Sequence, residues 1–246
     1  MFTGTAKHTY SLGPGRWDLS AFTEELAWRE APLLSRLRRP VRGAKNPVHS
    51  HSFSSIVSVR DESIRDFGGS KIDEKKRECI RRCTRHFLQD LEGWSINRIS
   101  SMLSTNTFEP GVNGFPNGGG VSTNGLTEEL INRALKMIWD QSSGSVDTIL
   151  LNGDQKHALN LASCFYKSDC GEYHNVVVSR WVPSDTVFFL DSSKISVTPI
   201  EGRSFQYKPL SMADDSIEGQ VFGEYTLEMK NEAAHGLIHG LSLDGK

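Results

Sequence analysis

The sequence predicts a mixed α+β fold on three observations. A long amphipathic helix pattern covers residues 73–94, short runs of β-branched and aromatic residues fill much of the second half, and an alternating segment occupies residues 223–241. Alternation at period two is typical of a strand with one buried face. A strand so late in the chain must pair with elements far away in sequence, so the predicted order is arm, loop, long helix, mixed middle and closing strand.

Composition is that of a globular chain with an uneven charge distribution. The 246 residues are 37% hydrophobic, which suffices for a buried core, and the net charge of -2 argues against nucleic-acid binding by the whole surface. Residues 1–45 hold eight Lys or Arg and four Asp or Glu, a net of +4, whereas residues 201–246 hold four and eight, a net of -4. Opposite net charges favour attraction between the two ends, within one chain or between copies, and ordinary solvated surface is the alternative for most of these charges.

The sequence carries no recognisable targeting signal, and its cysteines form no disulfide or metal-site pattern. The sequence has no signal-peptide pattern and no run of about 18 apolar residues, so neither secretion nor a membrane span is predicted. The cysteines form no CxxC pair and are predicted to be buried thiols in a reducing, cytosolic setting. They are Cys79, Cys83, Cys164 and Cys170.

The first part of the chain predicts an extended arm and a protruding loop. Residues 1–20 mix Gly, Pro, Ser and Thr with isolated aromatics, and Pro32 interrupts the helical pattern that Ser20 caps, so at most two short helical pieces follow. The stretch "SFSSIVSVR", flanked by Pro and Gly, predicts a β-hairpin within residues 40–69. Between arm and hairpin lies a basic run of Arg36, Arg38, Arg39 and Arg42.

The segment "DEKKRECIRRCTRHFLQDLEGW" is the clearest helix pattern in the sequence. Acidic residues lie at its start and Gly93 lies near its predicted end. About 20 helical residues would span about 30 Å. Apolar residues recur there at three- and four-residue spacing, at Ile80, Cys83, Phe87, Leu88, Leu91 and Trp94.

The middle of the chain predicts a loop, a second helix and several strands. "GVNGFPNGGGVSTNG" is typical of a flexible loop, and Leu126 with Thr127 opens a helix. "VDTILLNGDQKHALNLASCF" predicts strand, turn and helix, and four short β segments follow it. The predicted apolar face of the second helix is Leu130, Ala134, Leu135, Ile138 and Trp139.

The closing segment alternates over most of its length. The alternation continues past Asn231 and Glu232, so one long closing strand is predicted. One face is Val221, Gly223, Tyr225, Leu227 and Met229.

Motifs that would carry catalysis or metal binding are incomplete. The Gly-rich loop has no following GK[ST], and the His49–His51 and His235–His239 pairs each lack further ligands. Asp154 and His157 lie at a helix start without a G-x-S-x-G nucleophile. No catalytic residue, no cofactor-binding residue and no metal ligand is therefore predicted, and the chain is predicted not to be an enzyme.

In four stretches the chain resembles the major capsid proteins of tailed bacteriophages, which have the Hong Kong 97-like fold, and within them a subgroup of small, unprocessed capsid proteins. Together the stretches touch nearly the whole chain, and the likeness rests on their order and spacing. They are "GTAKHTYSLGPGRWDLSAFTEELAWREAPLLSRLRR", "RHFLQDLEGWSINR", "GLTEELINRALKMIWDQSSGSVDTILLNGDQKHALN" and "GEYTLEMKNEAAHGLIHGL".

The resemblance implies a division of the chain into parts. Residues 73–94 would be the spine helix, and the segment from Gly219 would return to pair beside it in the peripheral domain. The implied parts are an N-terminal arm (1–39), an extended loop (40–72), a peripheral domain (73–124 and 219–246) and an axial domain (125–218).

The same resemblance implies pentamers and hexamers that tile an icosahedral shell around packaged double-stranded DNA, which is contacted non-specifically. A portal protein, with separate scaffolding or decoration proteins, would be the partners; membranes and cofactors are not expected, and assembly would take place in the host cytoplasm. Arginine forms bidentate pairs with carboxylates at interfaces. The predicted inter-subunit contacts are Arg36, Arg38, Arg39, Arg42, Arg60 and Arg65.

Some family features have no counterpart in the sequence. The chain begins directly with the arm, which implies a scaffold supplied separately, and no Asn or carboxylate partner for Lys45 or Lys71 is identifiable, so covalent crosslinking is not predicted. Two alternatives remain. One is a cellular encapsulin-like shell protein with the same fold; the other is a small α/β hydrolase built on Asp154 and His157.

Overall fold

The computed structural model describes residues 17–18, 30–37, 50–60, 70–119, 124–142, 145–159, 165–169, 171–210 and 216–243. The helices are α1 (Ser70–Met102), α2 (Glu128–Ser142) and α3 (Gly153–Ala158). The strands are β1 (Trp17–Asp18), β2 (Ser50–Arg60), β3 (Thr107–Phe108), β4 (Thr148–Leu151), β5 (Phe165–Lys167), β6 (Tyr173–Val178), β7 (Val187–Leu190), β8 (Ile195–Pro199), β9 (Gln206–Pro209), β10 (Ser216–Met229) and β11 (Gly236–Ile238).

The long helix α1 extends beyond its predicted bounds at both ends. It has 33 residues, a length of about 50 Å. The predicted end near Gly93 was wrong, because the apolar spacing continues through the buried Ile96 and Ile99. Gly93 is a packing position instead: a Cβ atom there would lie 3.3 Å from the ring of Trp181. Cys79 and Cys83 are half-buried thiols on this helix, more exposed than predicted, and Cys164 and Cys170 lie outside the described residues.

The chain forms two compact units, each assembled from separate segments. Unit 1 contains residues 1–31, 39–91 and 197–227. Unit 2 contains residues 32–38, 92–196 and 228–246. No described helix is long and apolar enough to cross a membrane.

Unit 1 is built on a sheet with the strand order β1-β9-β10-β2, in which β8 also pairs with β10. The predicted strand within "SFSSIVSVR" is present as β2, and its described partner is the remote strand β10 rather than a neighbour in a hairpin. The two run antiparallel from the pair Arg60 and Ser216 to the pair Ser50 and Thr226. The predicted alternation in β10 is confirmed, since Val221 and Leu227 are buried and the intervening side chains are half-buried.

An aromatic cluster contributes to the core of unit 1. The rings of Phe87 and Phe205 stack with centroids 4.3 Å apart, and Tyr225 tilts against Phe87 at 5.5 Å. The hydroxyl group of Tyr225 accepts a hydrogen bond from the backbone N–H of Phe205. These contacts join helix α1 to the sheet, since Phe87 is on the helix and Tyr225 is on β10.

Unit 2 contains a six-stranded sheet in the order β3-β11-β7-β4-β6-β5. It is mixed, because β4 is parallel to β6 and β3 is parallel to β11 while the remaining pairs are antiparallel. Helix α2 buries Leu130, Ile131, Ala134 and Ile138 in one cluster with residues of this sheet. Trp139 was wrongly assigned to that face: 64% of it is exposed, since it is turned about 100° away from Ile138.

The closing segment is two strands and not the single strand that was predicted. Strand β10 ends at Met229, Asn231 has a left-handed φ of 56°, and a short 3₁₀ turn at Glu232–Ala234 leads into β11. β11 belongs to the sheet of unit 2. His235 is fully buried there and its Nδ1 accepts the backbone N–H of Asp191 at 3.0 Å. Burial lowers the pKa of His235, which favours the neutral ring that this bond requires.

Candidate assembly surfaces

Residues 30–37, the described end of the predicted arm, are held against helix α1. In unit 2, the backbone N–H groups of Leu33 and Leu34 donate to Glu92 Oε1 and Oε2, at 2.8 Å and 3.0 Å. Leu33 is fully buried and Leu37 nearly so. Two backbone donors on one carboxylate fix the direction of this segment, so its path is set by a single helix side chain.

Glu92 is a buried acid with an unusual titration range. Its side chain is fully buried, and burial raises its pKa from the usual 4.5 to about 7. The N–H groups of Leu33 and Leu34 and the side chain of Ser179 oppose that rise by hydrogen bonding to the carboxylate. The arm is consequently attached to a group that changes charge near neutral pH.

Glu30 provides a second attachment, within unit 1. Its carboxylate lies 3.0 Å from Arg85 Nε and accepts from Gln89 Nε2 at 2.7 Å. Arg85 is half exposed, so this pair contributes less than about 1 kcal/mol. The buried Glu92 is therefore the principal polar anchor of the described arm.

Of the six arginines predicted to make inter-subunit contacts, Arg36 is the one whose side chain is described. It is exposed, and its Nη1 donates to Asn175 Oδ1 at 3.1 Å. Arg60 is the last residue of β2, opposite Ser216. The side chain of Arg60 and the whole of Arg38, Arg39, Arg42 and Arg65 lie outside the described residues. Contacts of all six with neighbouring subunits stay a prediction.

A groove along helix α2 was missed by the sequence analysis. It has a volume of about 720 Å³ and is lined by one side of α2 and by the turn that joins β5 to β6. The exposed Trp139 lies on it, as do Asp169 and Glu172 from the turn. The sequence held one indication of an exposed aromatic residue here, because the adjacent residues Ile138 and Trp139 cannot both lie on the buried face of one helix.

The two residues of the hydrolase alternative lie on one short helix. Asp154 and His157 are exposed on the six-residue helix α3, and Asn152 caps that helix by accepting the N–H of Asp154 at 3.2 Å. Within the described ranges, no three His, Cys, Asp or Glu side chains come close enough to hold a metal ion.

The fold matches that of solved shell proteins at low sequence identity. A virus-like particle from Pyrococcus furiosus aligns with a TM-score of 0.58 and 14% identity, covering 89% of this chain and 96% of that one. The SrpI encapsulin of Synechococcus elongatus PCC 7942 aligns with a TM-score of 0.56 and 12% identity, over 79% and 75% of the two chains. A chain of Mycobacterium phage Bobi aligns with a TM-score of 0.51 and 13% identity, covering 77% of this chain and 71% of that one. The predicted Hong Kong 97-like α+β fold, which phage capsid proteins and encapsulins share, is confirmed.

The family match distinguishes the phage capsid hypothesis from the encapsulin hypothesis. The family model described as SU10 major capsid protein matches residues 89–242, more than half of the chain, so the chain belongs to the SU10 major capsid protein family. It is a phage shell protein, as the resemblance implied, and the encapsulin alternative fits less well. Family and fold are those of structural capsid proteins. A search of curated proteins finds no match.

Proposed function

We propose that this chain forms pentamers and hexamers that close into an icosahedral shell around the packaged double-stranded DNA of a tailed bacteriophage. The match of residues 89–242 to a major capsid protein family is the observation that carries this proposal. A shell is stabilised by many modest contacts repeated by symmetry, so each copy needs several surfaces that bind other copies. Assembly would take place in the host cytoplasm, with a portal protein and separate scaffolding or decoration proteins.

The parts of the chain would divide this work as the family implies. We propose that residues 1–39 act as the arm, 40–72 as the extended loop, 73–124 with 219–246 as the peripheral domain and 125–218 as the axial domain. The attachment of Leu33 and Leu34 to Glu92 supports the arm, because it fixes one end of that segment on α1. DNA would be contacted without sequence preference, and no catalytic role is proposed.

Assembly of the purified chain tests the proposal. Sedimentation velocity and negative-stain electron microscopy of one sample should show capsomers, tubes or shells, either alone or after a candidate scaffolding protein is added. A chain that stays monomeric at all concentrations and salts, with and without scaffold, would contradict it.

Charge reversal at the predicted arginines separates assembly from folding. The Arg38→Glu/Arg39→Glu variant should keep the far-ultraviolet circular dichroism and the melting temperature of the parent chain while losing at least about tenfold in shell yield, because each reversal replaces attraction by repulsion at a repeated contact. The matched control is Arg180→Glu/Lys208→Glu, at two exposed positions. Normal shells from the Arg38→Glu/Arg39→Glu variant would remove both arginines from the interface.

A further inference from the structure

The groove on helix α2 has the composition of a binding site for a cation. Four carboxylates line it, those of Glu128, Glu129, Asp169 and Glu172, against two basic side chains, one Arg and one Lys, which leaves a net charge of -2. Burial, together with the negative charges of Glu128 and Asp169, raises the pKa of the adjacent Tyr166 to about 12. A negative potential of this kind repels the phosphates of DNA, so the occupant must be sought among positively charged groups.

Trp139 adds an aromatic surface to this acidic groove. It lines the groove with 64% of its surface exposed, whereas Leu130, Ile131 and Ile138 of the same helix are buried. A tryptophan face attracts cations, and arginine more often than lysine stacks on it because the guanidinium group is planar and weakly hydrated. The combination of carboxylates and an exposed indole therefore favours a guanidinium group over an ammonium group.

His174 adds a buried ring with an unpaired acceptor to the lining of the groove. It lines the groove and is 2% exposed. Its Nδ1 lies 2.8 Å from the carbonyl oxygen of Val146, so in the neutral ring Nδ1 carries the hydrogen and Nε2 is an acceptor. Nε2 is buried without a hydrogen-bond partner among the described residues. A buried acceptor without a partner is unfavourable, so this ring is a polar position in the wall of the groove.

We propose that the groove binds the arginine-rich segment 38–42 of a second copy of this chain. That segment reads "RRPVR", with three guanidinium groups and no acidic residue. It lies within residues 1–45, whose net charge is +4. Pro40 and Val41 provide apolar surface to pack beside an indole ring. The inference rests on the proposed function, which places these arginines at contacts between copies. The groove would be the surface that they bind on the neighbouring copy.

Two complementary variants test whether the docking joins different copies. One carries Arg38→Glu/Arg39→Glu in the arm, and the other carries Asp169→Arg/Glu172→Arg in the groove. Each alone should assemble at least about tenfold less than the parent chain, since like charges then face each other. An equimolar mixture should recover most of the parent yield, because each arm then meets a groove of opposite charge on the other variant.

Each other outcome of the mixing experiment decides against the proposal. No recovery in the mixture would mean that the segment binds its own chain or a different surface. Normal assembly of the groove variant would overturn the inference and leave the proposed shell function standing. The control Asp140→Arg/Glu201→Arg changes two exposed acids that do not line the groove, and it should assemble normally and fail to rescue the arm variant.

A peptide assay tests the groove even where the parent chain does not assemble. A fluorescent peptide with the sequence of residues 36–45 should bind the full chain saturably, and Trp139→Ala should weaken binding at least about tenfold, whereas Tyr173→Ala, an exposed aromatic outside the groove, should not. The same peptide with Lys at each Arg should bind at least about fivefold more weakly. Equal binding of the two peptides, or unchanged binding to Trp139→Ala, would overturn the guanidinium site.

Discussion

The two sheets of the molecule bury their strands in different ways. In unit 2, β4 and β7 are buried at every position, and they join the cluster that helix α2 also enters. In unit 1, β10 alternates, with Val221 and Leu227 buried and Phe222 and Glu224 half-buried. Central strands that are apolar throughout are covered on both faces, whereas an alternating strand is covered fully on one.

This difference indicates where stability and where adaptability lie. A core of interdigitating side chains tolerates little change in volume, so unit 2 is expected to behave as the rigid part of the subunit. Unit 1 depends on pairing between β2 and β10, which are remote in sequence, and on the Phe87, Phe205 and Tyr225 cluster. Its sheet is fully covered on one face only, so side chains on the other face are less constrained by packing.

The largest predicted effect compares one buried phenylalanine from each unit. Phe189→Ala should lower the free energy of unfolding by about 5 kcal/mol and Phe205→Ala by about 3 kcal/mol, since truncation in a fully enclosed cluster leaves a cavity that cannot collapse. Both residues are at most 1% exposed in the parent chain. Urea unfolding of the unassembled variants gives the two values, and a larger loss for Phe205→Ala would reverse the assignment of the rigid unit.

The next effect concerns the buried acid of unit 2. Between pH 4.5 and about 7, folded Glu92 keeps a proton that the unfolded chain has released, so unfolding releases a proton and stability falls as the pH rises through this window. Glu92→Gln removes this dependence. The free energy of unfolding of the variant minus that of the parent chain should therefore rise by about 3 kcal/mol from pH 5 to pH 8. Chemical unfolding at several pH values measures the difference.

The control for this titration is Glu201→Gln, at an exposed turn position of unit 1. Its difference from the parent chain should stay within about 0.5 kcal/mol across the same range. A flat difference for Glu92→Gln as well would show that Glu92 does not hold a proton in the folded chain near pH 6.

The smallest effect tests how tightly the sheet of unit 1 is packed. A Cβ atom on Gly219 would overlap the hydroxyl group of Tyr207, so the buried tyrosine ring must move in Gly219→Ala. Overpacking of this kind costs about 1–3 kcal/mol. In unit 2, Gly153→Ala is the matched control, because its nearest neighbour would be Val178 at 4.0 Å. Equal melting temperatures for the two variants would contradict the close packing of unit 1.

Much of the fold was predictable because local patterns reflect local burial. The periodicity of Ile80, Phe87 and Leu91 predicted α1, and alternation around Val221 predicted β10. The patterns failed where backbone geometry or a distant ring intervenes. Gly93 is a packing position against Trp181 and not the end of α1, and the left-handed turn at Asn231 divides a segment that alternates on both sides.

The assembly surfaces were only partly accessible from sequence. The arginine cluster is visible as a run of letters, but the groove exists only because the sheet brings His174 and Asp169 beside α2. Likewise, nothing around Glu92 in sequence marks it as buried, since its partners Leu33 and Leu34 are almost 60 residues away. Such sites depend on long-range contacts, which residue periodicity does not encode.

The late position of β10 has a consequence for synthesis on the ribosome. A nascent chain that has already released β2 and α1 still lacks the strand that pairs with β2, β8 and β9. Unit 1 can therefore be completed only after residue 227 has been translated, however early the other segments emerge. Products of interrupted translation would lack this strand, so they could not complete the sheet of unit 1 and would leave β2 without its described partner.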